Sequence, residues 1–177
     1  GLSGQTAPAI AIEHEGRHWA FDEQSDVETD ALRKWVASFL DGSLEPTVKS
    51  EEPPADNSGP VTVVTAKTFA ELVLDDKQDV LLEFYAPWCG HCKALAPTYE
   101  KLGEAYKETP TVRIAKIDAT ANDVDPKYGI RGFPTIKLFG ADGDVVDYSG
   151  DRSLADLAKF VKENAATKFD APAVESA

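Results

Sequence analysis

Between residues 61 and 164 the spacing of apolar positions switches repeatedly from two to nearly four, marking strands and helices in alternation. Val61-Thr62-Val63-Val64 is short and β-branched, and Thr68 to Leu74 has room for a helical turn or two. Val80 to Ala86 is a nearly continuous apolar run, the pattern of a strand covered on both faces. From Cys92 to Lys107 the residues Leu95, Tyr99, Leu102 and Tyr106 recur at helical spacing; Pro97 within that run has no N–H and predicts a bend. Val112 to Asp118 alternates as a strand, a helix-capable segment follows around Asp123 to Tyr128, and Thr135 to Phe139 alternates again. Asp142-Gly143 predicts a hairpin turn before Val145 to Ser149. Ser153 to Asn164 sets Leu154, Leu157, Phe160 and Val161 on one helical face. The order βαβαβαββα predicts an α/β domain with a mixed central sheet flanked by helices.

The first 45 residues repeat the second half of that pattern. Pro8-Ala9-Ile10-Ala11-Ile12 is similar to Pro134-Thr135-Ile136-Lys137-Leu138, and Trp19 and Phe21 correspond to Val146 and Tyr148. A helix predicted from Thr29 to Leu40, with Leu32, Trp35, Val36 and Phe39 on its apolar face, matches the helix from Ser153. Any hairpin followed by a helix would look related, but the shared order and nearly constant offset favour a repeat. Such a half-domain lacks strands to cover its apolar faces, and a hairpin alone is marginal in water. The segment from Glu45 to Pro60 is rich in proline, glutamate and small polar residues and reads as an extended connection. The expected organisation is an incomplete domain over 1–45, a linker over 46–60, a complete domain over 61–165 and a flexible tail over 166–177.

A 177-residue chain that is 42% hydrophobic has material for at least one ordinary core. Its formal charge, 18 − 31 = −13, repels a phosphate backbone, so no nucleic-acid partner is expected. No apolar run approaches the ~18 residues of a membrane-spanning helix, so no membrane partner is expected either. The absence of methionine and the start at Gly1 suggest a piece of something longer; no signal or retention sequence is present. Of the two cysteines, Cys89 and Cys92, a bridge would close only a tiny loop and staple nothing distant. Their proximity is more useful for chemistry than for stability.

Both cysteines lie where the buried strand turns into a helix. A thiolate is the nucleophile in disulfide exchange, and free cysteine, with a pKa of about 8.5, is mostly protonated at neutral pH. At the helix N-terminus Cys89 meets unpaired N–H groups and the positive end of the helix dipole, both of which stabilise a negative sulfur. Cys92, one turn on and less exposed, is then the resolving thiol. His91 can place an imidazolium or an N–H donor near the Cys89 thiolate. The competing reading is a metal site, but a closed zinc site takes four ligands, and only His91 and His14 or His18 could join the two cysteines. Glu83 interrupts the apolar strand, where a carboxylate is costly unless protonated or paired. Set behind Cys92, it could accept that thiol's proton with a pKa raised by burial; the alternative is an ordinary charge at a sheet edge.

The run Leu82-Glu83-Phe84-Tyr85-Ala86-Pro87-Trp88-Cys89-Gly90-His91-Cys92-Lys93, with the later Gly132-Phe133-Pro134-Thr135, resembles the protein disulfide isomerase family over residues 60–165. The resemblance implies a thioredoxin-like fold, preceded by the second half of a non-catalytic thioredoxin-like domain. It implies thiol–disulfide oxidoreductase and isomerase activity at Cys89-Gly90-His91-Cys92. Lys116 resembles the partner of Glu83, and Arg131 resembles an arginine that approaches Cys92 to favour its thiolate, although a surface arginine reads the same way. Pro134 resembles a cis-proline that frees the backbone of Phe133 to pair with a substrate strand, where a trans proline opening a strand is the alternative. Trp88 would shield the site and touch substrate, or else be plain core. The implied partners are unfolded or misfolded polypeptides and, as oxidant, a thiol oxidase or glutathione. No cofactor is implied beyond the redox-active pair, and the implied location is the endoplasmic reticulum lumen. Stabilising the reduced pair makes its disulfide a better oxidant. The reference potentials are about −180 mV for protein disulfide isomerase and about −270 mV for thioredoxin. The rival readings are a cytosolic thioredoxin-like reductase and a binding module exposing Ile10, Ile12, Trp19, Trp35 and Phe39 from the half-domain.

Overall fold

The structure, a computed structural model, describes residues 10–15, 17–21, 27–74 and 77–173. The chain divides into two units, residues 1–49 and 50–177. In the first, β1 (Ala11–His14) and β2 (Arg17–Ala20) form an antiparallel hairpin that pairs Ile12 with Trp19, and α1 (Thr29–Leu40) follows. This is the hairpin-then-helix order of the repeat; Pro8 and Ala9 lie outside the described residues. Helix α1 closes on the hairpin through aromatic edges, Trp19 on Phe39 at 4.8 Å and Phe21 on Trp35 at 5.5 Å. The Trp19 indole N–H donates to the Leu44 carbonyl at 2.9 Å, and Thr47 Oγ1 accepts from the Ala20 N–H at 2.8 Å. Trp19 is therefore buried, not exposed as the binding-module reading requires: α1 and the chain after it cover the ring.

The second unit holds β3 (Thr62–Val63), α2 (Phe69–Val73), β4 (Asp79–Tyr85), α3 (Gly90–Tyr106), β5 (Val112–Asp118), β6 (Thr135–Phe139), β7 (Val145–Asp147) and α4 (Leu154–Asn164). The sheet order is β3-β5-β4-β6-β7, with β3, β5 and β4 parallel and β6 and β7 antiparallel to their neighbours. Strand β4 is central, and its apolar run is explained by two cores. Leu81 joins Leu95, Tyr99, Ile114 and Leu157 under α3 and α4, while Val80, Leu82 and Phe84 join Ile117 and Phe139 on the other face. Helix α3 runs from Gly90 to Tyr106 through Pro97.

Two expectations are corrected. The segment around Asp123 to Tyr128 forms only a 3-10 turn, Pro126–Tyr128: Asp125 caps it through the Lys127 N–H, and Gly129 ends it in the left-handed region at φ 62°. Nor is the chain beyond residue 165 a flexible tail throughout. The Asp79 carboxylate, 0% exposed, accepts from the N–H groups of Ala141, Ala166 and Thr167 at 3.1, 2.8 and 2.9 Å and from the Thr167 hydroxyl. Phe169 then packs edge-on to Tyr106 at 5.8 Å. A carboxylate fully removed from water needs such donors, and the residues after α4 supply most of them.

The expected linker has no regular structure but is anchored at its end. Buried Asn122 accepts through Oδ1 from the Glu51 and Ala66 N–H groups, each at 3.0 Å, and donates through Nδ2 to Glu51 Oε2 at 2.8 Å. Where Pro60 meets α3, a Cβ on Gly103 would lie 2.4 Å from the Pro60 carbonyl oxygen. Gly103→Ala is expected to cost about 2 kcal/mol by overpacking. The check is the urea midpoint, which should fall with an unchanged slope.

Candidate active site

Strand β4 delivers the chain to the site, and a turn closed by the Cys89 N–H on the Ala86 carbonyl at 3.0 Å starts the helix. Cys89 is the N-cap of α3, and its sulfur accepts from the Cys92 N–H at 3.3 Å. The Cys89 thiol donates to the Phe133 carbonyl at 3.5 Å, so the loop before Pro134 lies against the pair. The Phe133–Pro134 bond is cis, as the resemblance implied. Trp88 is 72% exposed, with its ring edge-on to Phe133 at 6.0 Å, and is not core.

The two thiols differ little in exposure, 8% for Cys89 and 5% for Cys92, so charge rather than access separates them. The Cys89 thiol is held below the ordinary value, first by the hydrogen bond from the Cys92 thiol and then by the Cys92 and His91 N–H groups, against an opposing effect of burial. Cys92 is pushed up to about 11 by burial and by the hydrogen bond it gives to Cys89. One sulfur is thus set as the anion and the other as its proton donor. The contribution of His91 comes through its backbone N–H, while its side chain is exposed. A Cβ on Gly90 would meet nothing within 4 Å, so no packing constraint demands glycine there.

Glu83 follows Leu81 on the α3 face of β4 and is 3% exposed. Its Oε1 is buried with no hydrogen-bond partner among the described residues. Burial raises its pKa from 4.5 to about 7, against the charges of Lys116 and then Arg152. Its charge acts on both cysteines, raising each thiol.

Lys116 is the Cα partner of Glu83 across the parallel ladder and the foremost charge acting on it, while its ammonium makes its ion pair with Glu100 Oε1 at 3.0 Å. Arg131 is exposed on the wall of a groove of about 440 Å³ that it shares with Val124, Ile130 and Phe133, and the charges acting on Cys92 come from Cys89 and Glu83. The arginine that does act on the buried carboxylate is Arg152, at the turn before α4 with φ 65° and its N–H on the Tyr148 hydroxyl at 2.9 Å. Sequence reading missed Arg152 because nothing local ties that turn to β4. Glu100 left a fainter signal: Lys116 shares the parity of Val112 and Ile114, so it faces α3 and asks for a carboxylate on that helix.

Among the described residues no group of three or more histidine, cysteine or acidic side chains is arranged to hold a metal ion, and no helix is long and apolar enough to cross a membrane. A family model described as Thioredoxin matches residues 60–163. The chain is 52% identical over 172 residues to a protein disulfide-isomerase of Aspergillus oryzae, covering 95% of this chain and 33% of that protein. It is 46% identical over 168 residues to protein disulfide-isomerase A4 of Homo sapiens, covering 92% of this chain and 26% of that protein. Among solved structures, the first thioredoxin domain of mouse protein disulfide-isomerase A4 superposes with a TM-score of 0.55 at 40% identity, over 71% of this chain and 89% of that one. The chain therefore spans a third or less of these two full-length relatives.

Proposed function

Because this chain belongs to the thioredoxin family, with protein disulfide-isomerases as its relatives, we propose that it is a thiol–disulfide oxidoreductase and isomerase acting through Cys89-Gly90-His91-Cys92. The observation that carries the proposal is the placement of Cys89 at the N-cap of α3, its sulfur accepting from the Cys92 N–H at 3.3 Å beside the cis Phe133–Pro134 loop. The opposed bias of the two thiols, Cys89 lowered and Cys92 raised, agrees with it. In isomerisation the Cys89 thiolate attacks a substrate disulfide, forming a mixed disulfide and expelling one substrate thiolate. Either the substrate rearranges, or Cys92 gives its proton to Glu83 and attacks the Cys89 sulfur. The second route releases the substrate as thiolate and leaves a Cys89–Cys92 bridge. In oxidation a substrate thiolate attacks that bridge at Cys89 and expels the Cys92 thiolate; a second substrate thiolate then attacks the substrate sulfur of the mixed disulfide, forming the substrate disulfide and releasing the Cys89 thiolate.

The exposed Trp88 ring, the Phe133 backbone beside Cys89 and the groove running from Phe133 to Arg131 suit an extended polypeptide. The proposed substrates are unfolded or misfolded chains, the oxidant a thiol oxidase or glutathione, and the compartment the endoplasmic reticulum lumen. The alternative of a reductase is decided by the midpoint potential of the pair. Holding Cys89 as thiolate favours the reduced form, so a glutathione titration followed by thiol alkylation should place the midpoint nearer about −180 mV than about −270 mV. A midpoint at the lower end would reject disulfide donation.

A further inference from the structure

Lys116 stands between two carboxylates. It leaves the sheet on the α3 side, in step with Val112 and Ile114, and Glu83 is its neighbour on β4. Glu100 follows buried Tyr99 on α3. The ammonium goes to Glu100, in a pair whose side chains are 29% and 44% exposed, and Glu83 Oε1 has no hydrogen-bond partner among the described residues. Glu83 is also faced by Arg152 from the turn before α4, by Cys89, Cys92 and Tyr99 from α3, and by Tyr85 of its own strand. Its β6 partner Ile136 is apolar.

We infer that Glu100 is a positioning residue: it holds the Lys116 ammonium at the outer edge of the site and so leaves Glu83 able to take a proton from Cys92. The inference rests on Glu83 being that acceptor. A lysine in direct contact with Glu83 would favour the bare carboxylate and weaken it as a base. The more exposed carboxylate therefore draws off a cation that would otherwise blunt the buried one.

The test uses the reduced full-length chain mixed with an aromatic disulfide reporter. The first released thiol reports capture by Cys89, and the second, slower release reports resolution by Cys92. Between about pH 5 and 9 the second phase should rise along a limb centred near 7, where Glu83 titrates. Glu100→Gln should move that limb down by about one pH unit and leave capture unchanged. In a Lys116→Met background the same change should move nothing. A limb unmoved by Glu100→Gln but abolished by Glu83→Gln would overturn the role of Glu100 alone. A shift that persists in Lys116→Met would mean that Glu100 acts by its own charge, and would also overturn it. A limb that survives Glu83→Gln would remove Glu83 as acceptor, and the inference with it.

Discussion

Serine in place of Cys89 is expected to abolish both disulfide formation and isomerisation, while serine in place of Cys92 should leave capture intact and accumulate mixed disulfides. The expectation follows from the asymmetry of the pair. Only Cys89 has its sulfur stabilised as an anion by the hydrogen bond from Cys92 and by the backbone N–H groups of Cys92 and His91. A hydroxyl there is neither ionised at neutral pH nor able to form the mixed disulfide, so the rate should fall to that of the glutathione buffer alone. Cys92, pushed up to about 11, is a poor first nucleophile but sits in place to evict what Cys89 has captured. Covalent complexes on non-reducing gels should therefore appear in Cys92→Ser and be absent in Cys89→Ser. Substantial oxidase activity in Cys92→Ser would assign the roles wrongly.

The second large effect concerns stability. Glu83 ionises near 4.5 in the unfolded chain and near 7 in the folded one. Between those values the unfolded chain has lost a proton that the folded protein keeps, so the folded state binds more protons and raising the pH works against it. The contribution is fully present below about 4.5 and lost as pH passes 7, a change of about 3 kcal/mol from acid to alkaline conditions. At 3% exposure the side chain has little solvent screening to reduce that figure. Glu83→Gln removes this titration, so the variant should gain on the parent protein by about 3 kcal/mol between about pH 4 and 8. Urea unfolding of both reduced proteins at the two pH values measures it. A stability difference that is flat with pH would show that burial does not shift this carboxyl. The same burial that makes Glu83 a useful base near neutrality makes it a destabilising one, as expected where function and stability compete.

Much of this was legible in the residues themselves. Val80 to Ala86 has the pattern of a doubly covered strand, and the alternation at Val112 to Asp118 and Thr135 to Phe139 matches β5 and β6 at both ends. Glu83 drew attention because a carboxylate inside such a run has to be neutral or paired. Sequence failed where partners come from distant elements. Parity puts Lys116 on the correct face but does not choose between Glu83 and Glu100, since that depends on how α3 lies across β5. Arg131 stands out through its resemblance to a family arginine near Cys92, whereas nothing local marks Arg152, whose charge reaches Glu83. The turn at Pro126 mixed helix-forming residues with a proline and a left-handed glycine, and the latter two limited it to a single 3-10 turn. Asp79, just ahead of that apolar run, carries no local sign of burial, and only the fold reveals it as fully buried.

That aspartate ties the residues after α4 into the second unit. Its two oxygens serve the loop at Ala141 and the residues after α4 at once, so the last helix is not the seam of the piece. Grafting this module into another protein, or cutting it free, has to keep the chain through Phe169. A cut at Asn164 would strand a negative charge inside the protein with most of its donors taken away.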